Sequence, residues 1–242
     1  MNIEVRGNRN GKKILCLPGV FMSGDCFYRL SEYMEEYCMV LVTYNSHDDQ
    51  KKEFKSFAYE MFTLENGLKK LHMTDFDMIV GLSIGGIMAI ELMRRGRIQA
   101  KKVFVDGVKT CVPVLKRTAY CRNVILMRLF TLWAKTPAKG INLLKKTYSK
   151  DWADRMQRNA AYFSFSSLKN LMWDYNRYKL SKEITFPVKY LYGGLENKRN
   201  IRKLFRLYPD ADVIVKSNYY HLGYLDKEPA AYAALLKEYM DK

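Results

Sequence analysis

The feature that most constrains this chain is a serine between two glycines at a predicted junction of strand and helix. The apolar run Phe76–Gly81 leads into Gly81-Leu82-Ser83-Ile84-Gly85, and apolar residues at helical spacing follow in Ile87–Arg95. To join a strand to a helix over so few residues, the chain must turn sharply at the serine, with strained backbone angles. Side chains at positions 81 and 85 would collide with the neighbouring strand and helix, which explains both glycines. The segment therefore predicts a serine hydroxyl that projects from the end of a sheet.

The rest of the chain alternates between short apolar runs and longer amphipathic stretches. The apolar runs predict buried strands at Lys13–Leu17, Met39–Thr43, Phe76–Gly81, Lys102–Val105, Val188–Tyr192 and Asp212–Val215. The amphipathic stretches predict helices at Gly24–Tyr37, Phe54–His72, Ile87–Arg95, Asn197–Tyr208 and Glu228–Met240. Strands that are apolar throughout are usually covered on both faces, and strand–helix alternation favours a mostly parallel sheet flanked by helices. Ile3–Arg6 and the turn Asn8–Gly11 predict an edge strand paired antiparallel to the next strand.

The alternation stops after Val108 and resumes at Pro187. The intervening residues have helical spacing and no convincing strand, and Val124–Trp133 is the most apolar of their helices. We therefore expect a helical cap insertion over residues 109–186, with residues 1–108 and 187–242 forming one α/β core.

Positive charge is concentrated in the same interval. The whole chain has a net charge of +16, and residues 109–182 contain 16 lysines and arginines but only three acidic residues. A cationic segment can face nucleic acid, an anionic membrane or an acidic substrate, but a solvated surface of a basic protein explains it most simply.

The strand–serine–helix segment, in this order of elements, resembles the nucleophile elbow of the α/β-hydrolase superfamily. The resemblance implies that Ser83 is a nucleophile and that its partners follow in the order serine, acid, histidine. His47 and His72 precede Ser83, so only His221 satisfies that order, on the loop between the last strand and the last helix.

The resemblance also indicates where the acid and the oxyanion hole should lie. Glu196 follows the strand Val188–Tyr192 in the position of the acid, and Asp106, at the end of an earlier strand, is the alternative. The amide of Ile84, at the start of a helix, should stabilise an oxyanion. The second donor should come from the loop after Lys13–Leu17, and we assign it to Val20, with Phe21 as the alternative.

These residues together predict a serine hydrolase that cleaves a small carboxylic ester through an acyl-enzyme. Thioester, lactone, small-peptide or carbon–carbon bond hydrolysis could use the same triad. A non-catalytic binding protein on this fold is a second possibility. A role at a membrane surface, through Val124–Trp133 and its basic neighbours, is a third.

Partners and location follow from what the sequence contains. We expect no cofactor, no metal site, no nucleic-acid partner and no stable membrane insertion, and the cationic excess suggests an anionic ester substrate. His47-Asp48-Asp49 predicts a solvated loop, with a position near the mouth of the pocket as the alternative. Five cysteines without a C-x-x-C pair, and a polar start without the pattern of a signal peptide, favour the cytoplasm.

Overall fold

A computed structural model describes residues 1–50, 52–110, 116–136, 144–181, 183–196 and 198–242. The strands are β1 (Asn2–Gly7), β2 (Lys13–Leu17), β3 (Cys38–Thr43), β4 (Asp75–Leu82), β5 (Gln99–Asp106), β6 (Val188–Gly193) and β7 (Asp212–Lys216). They form one sheet in the order β1-β3-β2-β4-β5-β6-β7, and every pairing except that of β1 with β3 is parallel. The predicted α/β class and mostly parallel sheet are therefore confirmed.

The partner of β1 differs from the prediction. Asn2 pairs with Thr43 and Gly7 with Cys38, so β1 lies antiparallel to β3 rather than to β2. Gly7 has a φ of +75°, and a Cβ there would lie 2.3 Å from the Tyr37 carbonyl oxygen, so the chain leaves β1 directly across the segment that precedes β3. Both neighbours of β2 are already taken, by β3 and β4, and β1 therefore pairs at the free edge of β3.

The α-helices of the described residues are α1 (Tyr28–Ser31), α2 (Phe57–Lys70), α3 (Ile84–Arg95), α4 (Lys116–Ala134), α5 (Lys150–Tyr162), α6 (Phe165–Arg177), α7 (Arg199–Leu207), α8 (Gly223–Lys227) and α9 (Pro229–Asp241). The predicted helices over Phe54–His72, Ile87–Arg95 and Glu228–Met240 correspond to α2, α3 and α9. The predicted helix over Asn197–Tyr208 corresponds to α7, and Asn197 itself lies outside the described residues.

The long helix predicted over Gly24–Tyr37 is wrong. This segment forms a 3₁₀ turn (Gly24–Phe27), the short α1 and further turns in which Tyr33 N–H donates to Leu30 O and Met34 N–H to Ser31 O. Bonds that span three residues are typical of 3₁₀ turns, which bury apolar residues at nearly the same spacing as an α-helix.

Helices cover both faces of the sheet, as the apolar strands predicted. Side chains alternate along β2: Leu15 packs with α2 and α3 on one face, and Cys16 packs with α1 and α9 on the other. Because both faces are buried, the sheet is a rigid platform and only its edges and strand ends are open to ligands.

Between β5 and β6 the described residues contain helices and no strand. Helix α4 packs against both α5 and α6, and part of this segment rests on the core through Val124 and Leu171. No helix in the described ranges has the length and apolar character needed to cross a membrane.

Candidate active site

Ser83 lies at a strained turn between β4 and α3. Its backbone has φ 54° and ψ −110°, a conformation that L-residues rarely adopt. A Cβ on Gly81 would lie 2.4 Å from the carbonyl oxygen of Gly85, and one on Gly85 would lie 2.1 Å from that of Leu17. The two glycines therefore let the strand, the turn and the helix approach closely enough to hold this conformation.

The turn also places backbone amides beside the serine. Ser83 N–H donates to the carbonyl oxygen of Asp106 (2.7 Å), which ties the turn to the end of β5. Ile84 is the first residue of α3, and amides in the first turn of a helix have no partner within the helix. The partial positive charge there favours an anion next to the serine.

The loop after β2 borders the same space. Val20 lines the cavity that contains Ser83, and its N–H donates to none of the described residues. Phe21 has a φ of +61°, and its ring packs against Phe130 (centroids 5.1 Å apart) and Phe163 (4.9 Å). These aromatic contacts hold the loop, and with it Val20, in place.

His221 is joined to Glu196 across two loops. Nδ1 of His221 lies 2.8 Å from Oε2 of Glu196, and because a carboxylate only accepts, the ring nitrogen donates. Glu196 is itself fixed, since its Oε1 accepts from Gly193 N–H at 2.8 Å.

Backbone contacts between these loops explain the pairing. Gly194 N–H donates to Lys216 O and Leu195 N–H to Tyr219 O, so the loop after β6 runs along the loop after β7. A Cβ on Gly193 would lie 2.3 Å from the Tyr219 carbonyl oxygen, so only a glycine permits this approach.

The environment of His221 raises its pKa. Burial alone would lower the pKa, but the hydrogen bond with Glu196 and the negative charge of Glu196 outweigh it, and Asp106 adds to the rise only where it is ionised. The imidazolium is therefore stabilised chiefly by Glu196.

Asp106, the alternative acid, lies near this pair but is not the hydrogen-bond partner of Nδ1. Its side chain is 1% exposed. Burial raises the pKa of Asp106 to about 8, with the nearby His221 opposing and Glu196 adding to the shift. The carboxyl group is therefore mostly neutral at pH 7, whereas a group that stabilises an imidazolium has to be charged.

Gly107 was not anticipated from the sequence. It has a φ of +65°, and a Cβ there would lie 2.3 Å from Cε1 and 2.6 Å from Nδ1 of His221. The imidazole thus lies against bare backbone at the end of β5. A glycine directly after a predicted strand was the available signal, but nothing in the sequence connects it to His221.

Ser83 and His221 line one cavity of about 390 Å³. Apart from these two residues and Tyr148, its described lining is apolar: Val20, Phe21, Met22, Leu126, Met127, Phe130, Trp133, Leu144, Met156 and Leu222. No lysine, arginine, aspartate or glutamate occurs among them. The sequence did not identify most of these wall residues, because many of them come from α4, α5 and the residues between these helices.

His47 does not lie in a solvated loop as predicted. It is fully buried, its ring contacts Phe163 edge-on (centroids 4.6 Å apart), and burial lowers its pKa to about 4. The aromatic contacts make it part of the packing behind Phe21 rather than a polar loop residue, and only Asp49 of the predicted loop is exposed.

Solved structures align with this chain over nearly its whole length. An α/β hydrolase family protein from Desulfitobacterium hafniense aligns over 99% of this chain and 100% of its own, with 19% identity and a TM-score of 0.80. An esterase from Exiguobacterium antarcticum aligns over 99% and 95%, with 12% identity and a TM-score of 0.76. MenH from S. aureus aligns over 99% and 97%, with 14% identity and a TM-score of 0.76.

No protein-family model matches the sequence, and the comparison with curated proteins gave no match. The likeness therefore rests on structure, and it agrees with the resemblance inferred from the strand–serine–helix segment. The chain has the α/β-hydrolase fold.

Proposed function

We propose that this protein is a serine hydrolase that cleaves a carboxylic ester through an acyl-enzyme. The observation that carries the proposal is that one apolar cavity contains both Ser83, on a strained turn at a helix N-terminus, and His221, which is hydrogen-bonded to Glu196. A serine hydroxyl is a weak nucleophile until a base takes its proton, and these elements supply the base and its orienting group.

In the proposed reaction Ser83 Oγ attacks the ester carbonyl carbon while His221 takes the hydroxyl proton. The amides of Ile84 and Val20 donate to the oxyanion. His221 then gives the proton to the leaving alcohol, and the acyl group stays on Ser83. Water, deprotonated by His221, releases the acid and restores the serine. Glu196 keeps Nδ1 protonated and stabilises the imidazolium throughout.

The α4–α6 segment acts in this proposal as a cap that supplies the apolar walls. Because no cationic side chain lies among the described lining residues, the substrate that fits is a neutral ester with an apolar acyl or alcohol group rather than an anionic one. A volume of about 390 Å³ is at the small end for ligand pockets, which favours a compact substrate.

The test is labelling with a fluorophosphonate, followed by turnover of p-nitrophenyl esters of increasing chain length. We expect one adduct per chain, located on Ser83 by peptide mass spectrometry. Ser83→Ala should abolish labelling and lower kcat by ~10³-fold or more. The control Ser166→Ala changes an exposed serine of α6 and should label fully.

Substrate charge is tested by comparing p-nitrophenyl butyrate with p-nitrophenyl hemisuccinate. We expect the neutral ester to have the higher kcat/KM by about tenfold or more, because burying a carboxylate against apolar walls is costly. Labelling that persists in Ser83→Ala would refute the assignment of Ser83 as the nucleophile. A preference for the hemisuccinate would refute the proposed neutral, apolar substrate but not the serine hydrolase mechanism.

A further inference from the structure

Helix α4 presents an exposed apolar face to solvent. Among the described residues, five of the fifteen exposed large apolar side chains lie on this one helix. They are Ile125 (60% exposed), Leu126 (53%), Leu129 (40%), Leu132 (43%) and Trp133 (45%). With about 3.6 residues per turn, this spacing places all five on one face, which we call the α4 stripe. Contiguous apolar surface of this kind marks an interaction site more often than scattered exposed residues do.

Positive charge surrounds the α4 stripe. Arg122 and Arg128 lie on the same helix, Lys135 follows its end, and no acidic residue occurs between Lys116 and Thr136. Phe165, 45% exposed, extends the apolar surface, with the Arg128 guanidinium 5.3 Å and the Lys169 ammonium 5.1 Å from its ring centroid. The surface thus combines an apolar centre with a cationic border.

The α4 stripe also reaches the cavity. Leu126 and Trp133 are exposed and at the same time line the cavity that contains Ser83. The cavity therefore opens beside the stripe, and whatever binds the stripe lies next to the entrance.

We propose that the α4 stripe and its cationic border dock this protein on the surface of a membrane that contains anionic phospholipids. Such a surface offers both of the required features, since headgroup phosphates pair with the cations while the side chains of the stripe enter the boundary with the acyl chains. Tryptophan at the edge of an apolar patch is typical of residues at this boundary.

Two other occupants fit less well. A symmetric dimer through the stripe would bring two copies of the cationic border together, with no acidic residue between Lys116 and Thr136 to pair with Arg122 or Arg128, which is repulsive. A nucleic acid would pair with the cations but would leave the apolar side chains unmatched. The docking proposal does not depend on the proposed hydrolase activity. If both hold, the substrate enters from the membrane surface as an amphiphilic ester.

Flotation of the full chain with vesicles tests the proposal. We expect the protein to float with vesicles of phosphatidylcholine mixed with phosphatidylglycerol, to float at least about tenfold less with phosphatidylcholine alone, and to be released by added salt. The variant Ile125→Ser/Leu129→Ser/Leu132→Ser should bind the mixed vesicles at least about tenfold more weakly. None of these three residues lines the cavity, so its turnover of a soluble p-nitrophenyl ester should equal that of the wild type.

Matched controls distinguish an effect of the α4 stripe from an effect of removing any exposed apolar side chains. Phe62→Ser/Leu71→Ser/Phe205→Ser removes three side chains of similar exposure (50%, 44% and 44%) elsewhere on the molecule and should float like the wild type. Arg122→Glu/Arg128→Glu should lose binding, whereas Lys69→Glu/Lys70→Glu, on exposed positions of α2, should keep it.

Three outcomes would overturn the proposal. They are failure of the wild type to float with the mixed vesicles, flotation of the stripe variant equal to that of the wild type, and a dimer in solution that the stripe variant dissociates. Fluorophosphonate labelling without vesicles reports separately on the proposed hydrolase.

Discussion

Two carboxyl groups lie close to His221, and they differ in burial and in hydrogen bonding. Glu196 accepts from Nδ1, while Asp106 is 1% exposed and its pKa is raised to about 8. From the sequence Glu196 was the expected acid and Asp106 the alternative, because each follows a predicted strand. The choice between them depends on which loop approaches the imidazole, and a linear pattern does not contain that information.

The different environments predict different effects of neutralising each acid. Glu196→Gln should lower kcat/KM by ~10²–10⁴-fold, because it removes the charge that stabilises the imidazolium. It should also shift the acid limb of the pH profile: the wild-type midpoint should lie above 6.5, since the pKa of His221 is raised, and the variant midpoint should be lower because burial then dominates.

Asp106→Asn is the matched control for that measurement. Because Asp106 is mostly protonated at pH 7, replacing it with the neutral amide should change kcat/KM there by no more than about threefold. The prediction is tested with pH profiles of both variants on one soluble ester. Equal losses in the two variants, or an unshifted midpoint in Glu196→Gln, would contradict it.

At the scale of elements, strand ends and the loops that follow them build the site. The turn between β4 and α3 could be predicted because its residues are contiguous and Gly81 is crowded by the turn itself, whereas Gly85 makes room for the end of β2 at Leu17. The pairing of the loops after β6 and β7 could not, since it depends on the parallel register of two strands that are separated along the chain. The contact between Gly107 and His221 likewise joins segments that are far apart along the chain, so it could not be predicted from the sequence.

Gly107→Ala should therefore have a large effect on catalytic activity and only a small effect on the stability of the fold. The new methyl group would displace the imidazole, and a misplacement of about 1 Å can cost ~10²-fold in rate. We expect kcat/KM to fall by about that amount, with a loss of about 1 kcal/mol in the free energy of unfolding because φ is positive.

Gly96→Ala provides the control for backbone strain. Gly96 has a φ of +70° at the end of α3, and a Cβ there would meet nothing closer than Gln99 Nε2 at 3.9 Å. This variant should lose similar stability but keep the wild-type kcat/KM. If Gly107→Ala kept full activity as well, the contact between Gly107 and His221 would have no role in positioning the ring.

At the scale of the whole molecule, buried titratable groups should make stability depend on pH. Burial lowers the pKa of His47 to about 4 from 6.5 and raises that of Asp106 to about 8 from 3.8. Below pH 6.5 His47 binds a proton in the unfolded chain but stays neutral in the folded protein, so the free energy of unfolding falls as pH falls. Between 3.8 and 8 folded Asp106 keeps a proton that the unfolded chain releases, so stability falls as pH rises.

The effects of His47 and Asp106 on stability oppose each other between about pH 4 and 6.5. Above pH 6.5 the effect of His47 ends and that of Asp106 continues. The raised pKa of His221 also makes stability fall as pH rises above 6.5. The free energy of unfolding should therefore decline from pH 6.5 to 8, by up to about 1.4 kcal/mol per pH unit from Asp106. Urea unfolding at several pH values measures this, and Asp106→Asn should make the decline shallower, leaving the contribution of His221. If the free energy of unfolding depended on pH identically in the wild type and in Asp106→Asn, the raised pKa assigned to Asp106 would be refuted.

The sequence by itself determined the features that depend on neighbouring residues. The elbow at Ser83, the seven strands of the described sheet, the parallel class of that sheet and the helical character of the interval between β5 and β6 follow from local sterics and from apolar periodicity. Steric limits on the backbone and the spacing of apolar residues act over a few neighbouring residues, so they can be recognised without knowing how distant segments pack.

Only the tertiary structure decided the features that need distant segments to meet. It placed β1 against β3, Glu196 rather than Asp106 on Nδ1, Gly107 behind the imidazole, and the apolar walls around Ser83. It also left the α4 stripe exposed, where periodicity alone would equally have fitted a helix buried against the core. Burial, register and loop contacts are set by how the elements pack, and packing depends on the whole chain at once.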